Sequence, residues 1–118
     1  MKILLISDLE GASGVVSNEQ QAKPGAPLYQ EARNYLISDV GGAVEGAIEG
    51  GADEVIIFDM HYSGLNLSLE EIHPRAKLVM GKPRKIYPFF SELYQEIKGV
   101  FQDGGRLYLT KKNQQAIG

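Results

Sequence analysis

ILLISDLEGASG, residues 3–14, joins an apolar run to two carboxylates, Asp8 and Glu10, and then breaks into glycine and small residues. The run over residues 3–6, continuously apolar and rich in β-branched Ile, predicts a strand buried on both faces. Its exit carries two like charges one residue apart. Such a pair reads either as a solvated loop or as part of a site that holds a cation.

Outward from this strand the pattern is regular. Residues 11–27 are polar and bear Gly and Pro. Over residues 29–50, Ala32, Leu36, Val40, Ala43, Val44, Ala47 and Ile48 recur at the spacing of an amphipathic helix lying on a sheet. Gly50 and Gly51 supply its stop signal. Gly41 and Gly42 inside it each cost about 1 kcal/mol relative to Ala, unless they admit a close neighbour. EVIIFDM, residues 54–60, is a second apolar strand. Strand, long helix and strand make a βαβ unit, so the two strands are expected to be parallel with a right-handed crossover.

Residues 76–80 predict a short third strand, Pro88 precedes a helix expected over residues 89–97, and residues 106–110 predict one further strand. Repeats, low-complexity tracts and internal boundaries are absent from the sequence. The expectation is an α/β fold, a mostly parallel sheet built from βαβ units with covering helices, as a single domain over residues 1–118. Its tail diverges from about residue 102.

Composition narrows the chemistry. At 118 residues and 43% hydrophobic, the chain can bury the core of one small domain. No stretch approaches the roughly 18 apolar residues of a membrane span. MKILLIS meets an acid at Asp8, too early for the apolar part of a signal peptide. A cytoplasmic protein with no membrane partner is expected. Without cysteine, disulfides and thiolate metal sites are excluded, so any metal is held by oxygen and imidazole. Residues 1–60 carry ten acids against three bases, and residues 61–118 five acids against nine bases. Lys82, Arg84 and Lys85 lie close together, but no aromatic-interleaved RNA motif accompanies them, so they read as solvated surface and no nucleic-acid partner is expected.

In open parallel sheets ligands bind beyond the carboxyl ends of the strands. The first strand delivers Ser7, Asp8 and Glu10 to that edge, and the second delivers Asp59 and His61. If the backbone stays extended, residues 8 and 10 share a face, as do 59 and 61. Three acids and an imidazole then converge, and their repulsion calls for a cation. Asp, Glu and His without Cys suit zinc, manganese or iron. A rival reading takes EGASG as a phosphate-binding loop at a helix N-terminus, although GxGxxG, GKS and GKT are all missing.

SDLEGASG, residues 7–14, resembles the N-terminal signature of the zinc-dependent D-aminopeptidase family, the dipeptide-transport-associated peptidases. DMHYSGLN, residues 59–66, is similar to that family's second motif, a strand-end Asp-x-His followed by a small-residue loop and Asn. HPRAKLVMG, residues 73–81, resembles its next strand and glycine, and the likeness runs over roughly residues 1–100. The resemblance implies a zinc metallopeptidase, a hydrolase that removes N-terminal D-amino acids from short peptides and assembles as closed homo-oligomeric rings. It implies two zinc ions, with Asp8 as bridging carboxylate and Glu10 and His61 as further ligands. Two zincs sharing a carboxylate would acidify a water and polarise the scissile carbonyl. His73 matches a position that is not a ligand in the family and reads as structural.

The departure from the family lies in the tail. Beyond the strand matching about Val100, the family carries a Gly-Tyr-His motif with a further zinc ligand, then a catalytic histidine and a glutamate ligand. Here QDGGRLYLTKKNQQAIG follows Phe101, and no His or Glu occurs after Glu96. The resemblance therefore implies the N-terminal part of such an enzyme, with an incomplete site, little turnover and self-association. The alternative is a non-catalytic α/β module that binds a metal or a partner.

Overall fold

The computed structural model describes residues 1–81 and the backbone pairing of two further strands, Ile97–Gln102 and Arg106–Leu109. In chain order the elements are β1 (Lys2–Ser7), a short π-helical turn (Asn18–Ala22), α1 (Tyr29–Glu49), β2 (Glu54–Asp59), β3 (Ala76–Val79), β4 (Ile97–Gln102) and β5 (Arg106–Leu109). The strands form one sheet in the order β3-β2-β1-β4-β5. β1 pairs in parallel with both β2 and β4, β3 joins β2 in parallel, and β5 runs antiparallel to β4. The fold is α/β with a mostly parallel sheet, as the βαβ pattern predicts.

Each element follows from its residues. Val55, Ile56, Ile57, Phe58 and Asp59 of β2 are all buried, which is what a continuous apolar run between two parallel neighbours produces. β1 is buried at Leu4, Leu5 and Ser7, while Ile3 and Ile6 keep partial exposure, so double-sided burial holds for its middle only. On α1, Ala32, Leu36, Val40 and Val44 are buried, and Ala43, Ala47 and Ile48 pack at the margin of the same core. That core joins them to Leu5, Leu9, Val55, Ile57 and Leu67. Full burial of a Leu or Val side chain contributes about 1.5–3 kcal/mol, so this stripe holds the helix on the sheet. The helix ends where Gly51, with φ of 101°, donates its N–H to Ile48 O at 3.0 Å. That left-handed turn suits glycine.

The register of β1 and β2 positions everything that follows. Ser7 stands opposite Asp59, and the Met60 N–H donates to Ser7 O at 2.9 Å. Chain segments leaving the two strands therefore start side by side, although 51 residues separate Asp8 from Asp59.

Of the expected helix over residues 89–97, residues 89–96 lie outside the described residues and Ile97 opens β4. Lys82, Arg84 and Lys85 also lie outside them. The strand expected over residues 106–110 is β5. Among the described residues, no helix is long and apolar enough to cross a membrane.

Gly41 and Gly42 do not serve close packing among the described residues: a Cβ built on either meets nothing within 4 Å. Gly42→Ala should therefore raise stability by about 0.5–1 kcal/mol. Urea denaturation should show a higher midpoint with an unchanged slope. A lower midpoint would mean that this helix face is covered.

Candidate metal centre

The site begins where β1 ends. Beyond Ser7 the backbone leaves the strand in a turn, with the Ala12 N–H donating to Leu9 O at 3.2 Å and the Leu9 N–H to Asp8 Oδ1 at 2.8 Å. Leu9 is fully buried and anchors the turn in the core, leaving Asp8 and Glu10 on either side of it about half exposed. The two acids thus reach the same place through a turn, not through an extended strand.

His61 arrives from β2. Its loop closes with the Gly64 N–H donating to His61 O at 2.9 Å, and Tyr62 inside it takes a left-handed φ of 45°. A non-glycine residue there carries roughly 1 kcal/mol of strain, typical of segments whose shape is dictated by their surroundings. The Tyr62 ring meets the His61 ring edge-on, centroids 4.6 Å apart.

The imidazole is nearly fully buried and has two differently committed nitrogens. Nδ1 lies 3.0 Å from Asp8 Oδ1 and 3.0 Å from Glu10 Oε2. Nε2 lies 2.7 Å from the Ala22 carbonyl oxygen. A carbonyl only accepts, so Nε2 carries a hydrogen and Nδ1 is the atom presented to the carboxylates. Nδ1 and the two carboxylate oxygens beside it make a place suited to a cation.

One potential ligand atom from each of Asp8, Glu10 and His61 lies within 4.8 Å of the others. One imidazole nitrogen and two carboxylate oxygens, without sulfur, fit a divalent ion such as zinc. Burial pushes the Asp8 carboxyl up, but hydrogen bonding with Glu10, the Leu9 N–H and His61 outweighs it and holds the group below the ordinary carboxylate value. Asp8 is therefore ionised at neutral pH, the state a metal ligand needs.

Asp59 stays out of this group, contrary to the convergence of three acids expected from strand geometry. It is fully buried, and its Oδ2 accepts the N–H groups of Asn66 at 2.7 Å and Leu67 at 2.8 Å. Its Oδ1 accepts from Asn66 Nδ2 at 2.8 Å. Three donors satisfy a buried carboxylate that would otherwise repel Asp8 and Glu10. Asn66 Nδ2 also donates to His61 O at 2.7 Å, and its Oδ1 accepts from the Tyr29 hydroxyl. Burial pushes the Tyr29 phenol up, with Asp59 adding to this and Arg33 opposing it, which keeps the hydroxyl a neutral donor. The fourth acid thus becomes the clamp of the loop that carries the histidine.

His73 donates from Nε2 to Glu45 Oε2 at 2.7 Å and accepts the Arg75 N–H on Nδ1 at 3.1 Å. It ties the approach to β3 onto α1, a structural role. The phosphate-loop alternative loses its basis, because EGASG leads into the π-helical turn and α1 starts only at Tyr29.

Sequence reasoning missed the turn that supplies the Ala22 carbonyl. Its signal was Ser17-x-x-Gln20, the spacing of a helix-starting cap. The Ser17 hydroxyl does accept the Gln20 N–H, at 3.1 Å. Beside His61 opens a cavity of about 240 Å³ lined in part by Pro24, Tyr29, Tyr62, Ser63 and Asn66.

Comparison with known proteins agrees with this fold. A family model described as D-aminopeptidase matches residues 1–102. A D-aminopeptidase of Bacillus subtilis (strain 168) is 32% identical over 87 residues, which is 69% of this chain and 29% of that protein. The solved Zn-dependent D-aminopeptidase DppA from Bacillus subtilis, described as a self-compartmentalizing protease, has the same fold. It matches with a TM-score of 0.78 at 24% identity over 99% of this chain and 41% of that chain. The family match takes in β1, α1, β2 and β3 of this α/β fold. The chain belongs to the D-aminopeptidase family. It spans less than a third of the curated relative and about two-fifths of the solved chain.

The clamp is testable by itself. Asn66→Ala removes partners of Asp59, His61 O and Tyr29 at a site 3% exposed. It should destabilise the fold by about 2–3 kcal/mol, since buried polar groups left unpaired cost roughly 1–3 kcal/mol each. Urea denaturation reads this directly, and an unchanged midpoint would contradict the clamp.

Proposed function

We propose that Asp8, Glu10 and His61 are metal ligands and that the chain contributes them to zinc-dependent hydrolysis of N-terminal D-amino acids from short peptides. One observation carries the reading: His61 Nδ1 faces two carboxylate oxygens at 3.0 Å while Nε2 is committed to Ala22 O. Zinc bound there would supply Lewis-acid polarisation of a peptide carbonyl and activation of water. The protein's own part is to hold the three donors in place, Asp8 and Glu10 through the Leu9 anchor and His61 through the Asn66 clamp. The cavity beside His61 gives a short peptide room next to the donors. A second zinc ion bridged by Asp8, assembly as a homo-oligomer and a cytoplasmic location belong to the same proposal.

A non-catalytic reading is favoured by one feature, the absence of His and Glu after Glu96. Three protein ligands hold an ion and leave positions open for water, but the chain brings no further imidazole to that edge. The 118-residue chain alone is therefore expected to bind zinc and to show little turnover of a D-alanyl amide.

Calorimetric zinc titration tests the site. Asp8→Asn keeps the shape and removes the charge, and should weaken zinc binding by at least roughly tenfold. Equal affinity in the two proteins would return the paired acids to a solvated strand end. Turnover of the D-alanyl amide that Asp8→Asn abolishes would reject the non-catalytic reading.

A further inference from the structure

We propose that Gln21 is a positioning residue for the metal centre: its side chain sets the Ala22 carbonyl, and that carbonyl decides which nitrogen of His61 faces the ion. The proposal rests on the reading of Asp8, Glu10 and His61 as metal ligands. Gln21 does not touch that group.

Gln21 is a buried polar side chain, 6% exposed, with both ends of its amide engaged. Oε1 accepts the N–H groups of Val16 at 2.8 Å and Ser17 at 3.0 Å, and Nε2 donates to Gly14 O at 2.8 Å. Three bonds from one side chain therefore fasten residues 14–17 to the turn they precede. Gly14 is fixed in its own right, with φ of 85° and a backbone so close to Tyr35 that a Cβ would lie 2.9 Å from the ring.

From this fastened segment the turn is built. Ser17 O accepts the N–H groups of Gln21 at 3.0 Å and Ala22 at 3.3 Å, and Asn18 O accepts that of Lys23 at 2.9 Å. The bond to the fifth residue on makes the turn wider than an α-helical one, as in π-bulges near functional sites. Ala22 is buried at the turn's end, and its carbonyl lies where a short helix leaves acceptors without internal partners. His61 Nε2 takes that acceptor at 2.7 Å.

The consequence is chemical. An imidazole binds a metal through the nitrogen that carries no hydrogen, and a hydrogen bond from the other nitrogen fixes which one that is. With Nε2–H held by Ala22 O, Nδ1 is left for the ion and the ring cannot turn. Without the Gln21 amide the turn loosens, the carbonyl drifts and either nitrogen can face the carboxylates. The ring would then exchange between two orientations and the donor set would lose its geometry.

Nitrogen-15-edited NMR of His61 and calorimetric zinc titration test this together, on wild type, Gln21→Met and Gln21→Glu. In metal-free wild type the His61 Nε2–H should exchange slowly with solvent. Gln21→Met, of similar length but without the amide, should exchange at least roughly tenfold faster and bind zinc about tenfold more weakly. Gln21→Glu keeps the acceptor for Val16 and Ser17 and should lie closer to wild type than Gln21→Met does. A Gln21→Met protein that retains wild-type exchange or wild-type zinc affinity overturns the proposal. Zinc-loaded wild type gives an arm that needs no variant to fold: the metal should be on Nδ1 with Nε2 protonated, and coordination through Nε2 overturns the proposal. A wild type that binds no zinc would instead sink the metal reading, and the exchange comparison would still decide whether Gln21 orients the ring.

Discussion

The parallel register of β1 against β2, with Ser7 opposite Asp59, is the constraint on which the rest depends. Parallel pairing sends both chains off the sheet at one edge, so residues distant in sequence meet there. The core enforces it. A one-residue slip would exchange the two faces of β2 and pull Val55 and Ile57 away from α1. The site is therefore as stable as the packing beneath it, and its side chains need only short excursions from fixed strand ends.

Charge is handled differently on the two sides of that edge. Asp59 faces inward and is neutralised by three N–H donors, so it holds structure. Asp8 and Glu10 are about half exposed, and each brings a carboxylate oxygen to 3.0 Å from His61 Nδ1. The second arrangement leaves negative potential available to a cation. One sheet edge thus carries a scaffolding acid from β2 beside two half-exposed acids that follow β1.

Much of this was legible in the sequence. The strand run of residues 3–6, the helix from Tyr29 and the second strand from Glu54 rest on period and apolar content, which local residues carry. Asp8, Glu10 and His61 were legible because two strand ends in a βαβ unit share an edge. What escaped depended on tertiary closure. Asp59 looked like a fourth converging acid, because alternation along a strand says which face a residue takes and nothing about donors seven residues on. The π-helical turn was hidden in a stretch of Gly, Pro and polar residues, where only Ser17 and Gln20 marked a start. Gly41 and Gly42 could be read as weakening the helix or as admitting a close neighbour, and among the described residues no neighbour stands there.

If one imidazole and the two acids of the first loop hold zinc, as proposed, zinc-edge X-ray absorption on the zinc-loaded chain reads the donors themselves. The expected spectrum has a nitrogen and oxygen shell at about 2.0–2.2 Å with the outer scattering of one imidazole. That imidazole signal should vanish in His61→Gln and persist in His73→Gln. An imidazole signal that follows His73, or a zinc shell with no imidazole in the wild type, would contradict it.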